Sequence, residues 1–156
     1  MERREFIALL GMAAAALPSG ARAEPSHPTD SIAGQIVGTW SFIASLDTRK
    51  DGSTFNRWGK NSTGFLMIDG SGHFSQIIIG LESRIFGPKT FCAFGAFSID
   101  EVAKTMTTRM DGSSITKLIG STQRRLIVSV TADELIYVNP VTIAGTKAEV
   151  KWKRLG

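Results

Sequence analysis

The sequence predicts an all-β domain, and three observations carry that prediction. Apolar residues alternate with polar ones over short runs, as in "GTWSFIASL" and "AEVKWKR". Clusters of Gly, Asp and Ser separate those runs, at Asp51-Gly52-Ser53, Asp69-Gly70-Ser71 and Asp111-Gly112-Ser113. No stretch holds a period of 3.6 over the length of a helix. A period of two marks a strand with one buried face, and Gly, Asp and Ser supply the backbone conformations that turns need. Many short strands of this kind form a sandwich or a barrel.

Residues 1–23 stand outside the pattern. "MERREFIALLGMAAAALPSGARA" has a basic start, an apolar middle and the small-residue end Ala21-Arg22-Ala23. That is the form of a cleaved signal peptide, and Arg3-Arg4 gives it a twin-arginine character. The expected location is periplasmic or secreted. The apolar stretch is too short to span a membrane, and no later segment approaches that length. Residues 24–33 contain Pro25 and Pro28 and read as a flexible lead-in, with room for a helical turn from Ser31 to Gln35. Residues 34–156 remain for a single β domain. Past the leader, 133 residues carry 15 Lys+Arg and 12 Asp+Glu, and those charges are scattered. A nucleic-acid-binding stripe would be denser. Cys92 is the only cysteine, so no internal disulfide is possible.

Pleating assigns the faces, because paired strand residues point the same way. The first strand puts Trp40, Phe42, Ala44 and Leu46 on one side. A hairpin centred on Gly70-Ser71 pairs Met67 with Phe74 and Phe65 with Gln76. The aromatic side is then inward, and Leu66, Ile68, Ile77 and Ile79 are outward. A turn at Asp100-Glu101 aligns Gly95, Phe97, Ile99, Val102, Lys104 and Met106. Strict alternation in "RRLIVSVTADELIYV" selects Arg124, Leu126, Val128 and Val130, then Leu135 and Tyr137. The last strand turns Ala148, Val150, Trp152 and Arg154 inward. The expected lumen is therefore Phe42, Phe65, Met67, Phe74, Gln76, Phe97, Lys104 and Tyr137. Parity alone does not separate a sandwich from a barrel.

A resemblance does. Gly38-Thr39-Trp40 heading the first strand resembles the Gly-x-Trp of lipocalins. "IVGTWSFIAS", "GKNSTGFLMIDGSGHFSQIII", "FGAFSID" and "GSTQRRL", in that order, resemble the bacterial and fungal lipocalin-like domain family over residues 36–154. The resemblance implies a single up-and-down antiparallel barrel of about eight strands that holds one small apolar ligand. It also implies that Trp40 closes one end, with Gly38 giving clearance and Arg154 packing over the indole. Family members often carry a histidine near the position of Lys104, so chemistry tied to that histidine does not transfer here.

Catalytic signatures are sparse. There is no Gly-x-Ser-x-Gly elbow, and "GPKT" at Gly87 lacks the leading glycine of a phosphate loop. His27 and His73 are isolated, which argues against zinc. Asp100-Glu101 and Asp133-Glu134 read as solvated turns, and Cys92 as a small buried residue. The expectation is a binding protein for a small hydrophobic or amphipathic molecule, with no cofactor, metal, nucleic acid or membrane span. The alternative is an isomerase, cyclase or hydratase on the same barrel, with Lys104 and Tyr137 as its acid–base pair.

Overall fold

The computed structural model describes residues 30–82 and 89–155. The leader, most of the lead-in and the segment containing Gly87 and Pro88 lie outside the described residues. A short helix, α1 (Ile32–Ile36), comes first. It takes in the last two residues of the expected lead-in. Ser31 caps it by accepting from the Gly34 amide at 3.0 Å, and the Glu101 carboxylate accepts from the Ile32 and Ala33 amides at 3.0 and 2.8 Å. Those bonds satisfy amides that a helix start leaves without partners.

Nine strands follow among the described residues: β1 (Gly38–Thr48), β2 (Thr54–Phe55), β3 (Ser62–Ile68), β4 (His73–Gly80), β5 (Lys89–Asp100), β6 (Thr105–Ser113), β7 (Thr122–Val130), β8 (Glu134–Asn139) and β9 (Lys147–Leu155). A 3-10 turn at Thr116–Leu118 links β6 and β7. Each of the eight longer strands pairs antiparallel with the next, and β1 pairs with β9 to close the ring. This is a closed up-and-down barrel, with β2 added as a two-residue edge on β1. Closure leaves no exposed edge on the eight barrel strands.

Two of the three expected Asp-Gly-Ser turns form as such. Asp51 Oδ1 accepts from the Ser53 amide at 2.9 Å, and Asp69 Oδ1 accepts from the Ser71 and His73 amides at 2.9 Å. The bond from the His73 amide holds the Asp69 carboxyl below its ordinary pKa. Asp111-Gly112-Ser113 instead finishes β6, paired with β5 across a bulge at Phe94/Gly95.

The Asp69 hairpin corrects the face assignment. The Asp69 amide donates to the His73 carbonyl at 3.0 Å and closes a loop of three residues, Gly70-Ser71-Gly72, rather than two, with Gly72 at φ 94° as the added step. Ile68 therefore pairs with Phe74 and Leu66 with Gln76. A one-residue slip turns every side chain of a strand over. Leu66 and Ile68 are core, whereas Phe65 and Met67 face outward at 45 % and 49 % exposure.

Candidate functional site

Bulges decide which other side chains enter the barrel. The β1–β9 pairing shifts between Phe42 and Ala44. Trp40 and Phe42 are inside before the shift and Ser45 and Asp47 after it, while Ala44 and Leu46 are turned out. The β7–β8 pairing shifts between Ile127 and Ser129. Arg125 and Ile127 are buried there, and Arg124, Leu126 and Val128 are exposed. A bulge inserts one unpaired residue, so strict alternation fails beyond it.

The α1 end of the barrel is filled. Trp40 is fully buried, and its indole N–H donates to the Ile36 carbonyl at 2.9 Å. The Arg154 guanidinium lies 4.0 Å from the Trp40 ring centroid. It donates to the carbonyls of Val37 at 2.9 Å, Ala132 at 2.6 Å and Gln35. Gly38 has φ 140°, and a Cβ there would lie 2.5 Å from Arg154 Nη1. Only glycine meets both conditions.

At the far end of β1 the lumen opens as a cavity of about 170 Å³. Ile78, Phe91, Met110, Leu118 and Val150 give it an apolar wall, and Gln76, Gln123 and Arg125 give polar points. Asp47 anchors one side of the mouth. Its Oδ2 accepts from Arg57 Nε at 2.9 Å, Arg57 Nη2 at 2.5 Å and the Thr146 hydroxyl at 2.7 Å, and its Oδ1 from the Ser45 hydroxyl at 3.4 Å. The buried carboxylate is thus paired and hydrogen-bonded, the condition under which burial is tolerated.

The middle layer is less complete. Arg125 is 4 % exposed. Its guanidinium lies 5.4 Å from the Tyr137 ring centroid and 6.0 Å from that of Phe74. Among the described residues its one side-chain hydrogen bond runs from Nη1 to the Thr108 hydroxyl. Arg125 Nε, Tyr137 Oη and Trp152 Nε1 are buried with no partner among those residues. Trp152 packs edge-on against Phe42 at 5.3 Å and tilted against Tyr137 at 6.5 Å.

Of the expected lumen residues, Phe42, Phe74, Gln76 and Tyr137 lie inside the barrel. Phe65 and Met67 do not, for the reason of register given above. Lys104 does not either. The β5–β6 loop has four residues rather than two, Asp100 pairing with Thr105, so Lys104 and Val102 sit in an exposed loop at the α1 end. Lys104 and Tyr137 are therefore not an assembled acid–base pair. Phe97 is half-buried: it packs against the barrel core, as its parity predicts, and lines a cleft between α1 and the Asp69 turn rather than the cavity at the other end. Cys92 is half-buried on β5. Ser45, Asp47 and Arg125 were missed because no local signal marks a bulge, whereas Thr108 keeps the inward parity read for Met106 and gave no signal as a lone hydroxyl.

The fold is the closed up-and-down barrel that the resemblance implied. No protein-family model and no curated protein matches the sequence. Solved structures are similar in fold. A lipocalin-like protein from Bacteroides uniformis is similar with a TM-score of 0.46 at 16% identity, over 78% of this chain and 100% of that one. A bovine odorant-binding protein, solved in complex with a selenium-containing odorant, is similar with a TM-score of 0.46 at 14% identity, over 80% of this chain and 73% of that one. Among the described residues no helix is long and apolar enough to cross a membrane.

Proposed function

We propose that this chain is an exported binding protein that holds a small, mainly apolar molecule in its barrel lumen. The observation that carries the reading is the open cavity of about 170 Å³ beside a filled end. An apolar cavity of about 150 Å³ is enough to hold benzene. The occupant is therefore a one-ring molecule or a short chain, with room to project through the mouth. A concave, mainly apolar site with a few polar groups is the usual form of a small-molecule pocket.

The test is calorimetric titration of the full-length chain with a neutral one-ring amphiphile, 4-phenylbutan-1-ol. Saturable binding at about one per chain is expected. Its affinity should vary little with salt, because buried apolar area drives it. Val150→Trp should abolish it by filling the lumen. A folded chain that takes up no such molecule would overturn the reading. Export rests on the leader alone. Changing Arg3 and Arg4 together to Lys should leave precursor in the cytoplasm, and normal export of that double variant would remove the twin-arginine assignment.

A further inference from the structure

We infer that the lumen is built for an apolar monocarboxylate, with Arg125 as the residue that receives its acid group. The inference rests on the lumen-binding reading above and narrows it to a chemical class.

The argument starts from an incomplete charge balance. Arg125 is 96 % buried and lines the cavity. A guanidinium stays ionised at any ordinary pH, so it does not escape burial by losing a proton. Buried charges are normally paired, because leaving water without a counter-charge is costly. No carboxylate among the described residues pairs with Arg125. Asp47 lines the same cavity, but Arg57, Thr146 and Ser45 already occupy its two oxygens. The internal segment outside the described residues, 83–88, reads Ser-Arg-Ile-Phe-Gly-Pro and contains no acid. The rings of Tyr137 and Phe74 attract the cation, but they neither neutralise it nor accept in-plane N–H bonds.

The placement is also specific to Arg125. Its neighbour Arg124 is exposed, and a bulge two residues on sets the parity that turns Arg125 inward. The fold thus aims a cation into an apolar cavity, with one hydroxyl, from Thr108, as acceptor. A carboxylate matches what is left: one negative charge, and two oxygens in the plane of a guanidinium fork. A phosphate dianion would bring a second charge, and the other two cations on the cavity lining are engaged, Arg57 by Asp47 and Lys89 by the Arg57 carbonyl and the Trp58 ring. The body of the ligand would then run along Ile78, Met110 and Val150 toward the mouth.

The test is a matched pair of ligands on the full-length chain, 4-phenylbutyrate against 4-phenylbutan-1-ol, by calorimetry at neutral pH. The carboxylate should bind about tenfold to a hundredfold more tightly, the range expected for a hydrogen-bonded charge partner. In Arg125→Met the alcohol should still bind and the preference should vanish. Equal affinities in the wild type, or a preference for the alcohol, would overturn the inference while leaving lumen binding intact. Binding of neither ligand would overturn both. A preference retained in Arg125→Met would also overturn it. A measurement on the wild type alone covers the case in which that variant does not fold. Carboxyl-13C phenylbutyrate, followed by NMR, should stay ionised when bound at pH values where the free acid is protonated. A bound carboxyl whose pKa is raised would sit in apolar surroundings away from Arg125, and the inference would fail.

Discussion

Two arginines lie over aromatic rings inside this barrel, and their surroundings differ. Arg154 covers Trp40 at the filled end and donates to three backbone carbonyls. Arg125 lies between Tyr137 and Phe74 in the middle layer and donates to one hydroxyl. The ring contacts differ in distance, 4.0 Å for Arg154 against 5.4 and 6.0 Å for Arg125, but all fall within reach of a cation–π attraction and so do not separate the roles. Hydrogen-bond completeness does. A guanidinium whose donors are taken up by the chain's own backbone ties that backbone together. A guanidinium left short of acceptors in a cavity costs stability and is available to a ligand. The filled end is thus organised for closure, and the open half keeps a cation short of acceptors, as the proposed recognition requires.

The largest effect should come from Trp40→Ala, because removing a buried indole costs roughly 3–5 kcal/mol. Denaturant unfolding of the full-length chain measures it. A midpoint like that of the wild type would mean that the filled end does not depend on Trp40. Asp47→Ala comes next, at about 3 kcal/mol, since it strands Arg57 beside a buried site. Melting of that variant near the wild-type temperature would mean that the Asp47 network contributes little at the mouth.

The comparison of the arginines is tested most directly by replacing each in turn. Arg154→Ala should destabilise by about 1–3 kcal/mol, leaving the carbonyls of Val37, Gln35 and Ala132 without their donor. Arg125→Met should instead be neutral or stabilising by up to about 4 kcal/mol, because an unpaired buried charge is exchanged for an apolar chain of similar length. Equal losses for the two would erase the distinction. The smallest effect belongs to Met67→Trp. An exposed site on the outer face should tolerate it within about 0.5 kcal/mol, with no change in uptake of 4-phenylbutan-1-ol. A clear loss of either would return Met67 to the lumen.

Much was legible in the residue order. The alternating runs, the Asp51 and Asp69 turns and the resemblance over residues 36–154 lead to an up-and-down barrel of eight principal strands, and that is the fold. Strand β9 reads correctly throughout: Ala148, Val150 and Trp152 are buried, and Lys147, Glu149, Lys151 and Lys153 are exposed. It has no bulge in its pairing with β8, and its alternation is long enough to fix the face. Gly38, Trp40 and Arg154 could be grouped from parity and resemblance together, since all three lie close to strand ends with no bulge between them and the pairing Trp40↔Arg154.

What the order of residues did not determine was the phase of the alternation where the backbone gains or loses a step. Gly72 adds one residue to a hairpin loop and turns over Phe65, Leu66, Met67 and Ile68 together. The shift at Phe42/Ala44 brings Ser45 and Asp47 inside, and the shift at Ile127/Ser129 chooses Arg125 over Arg124. A glycine in a turn, or an extra residue in a strand, has almost no local energetic signature. Its position is set by what closing eight tilted strands into one ring requires of every register at once. The alternation of the strands thus determined an all-β domain, and the resemblance implied the barrel and its filled end. Only the closed ring decided which polar side chains face its interior, and those are the residues on which the proposed recognition rests.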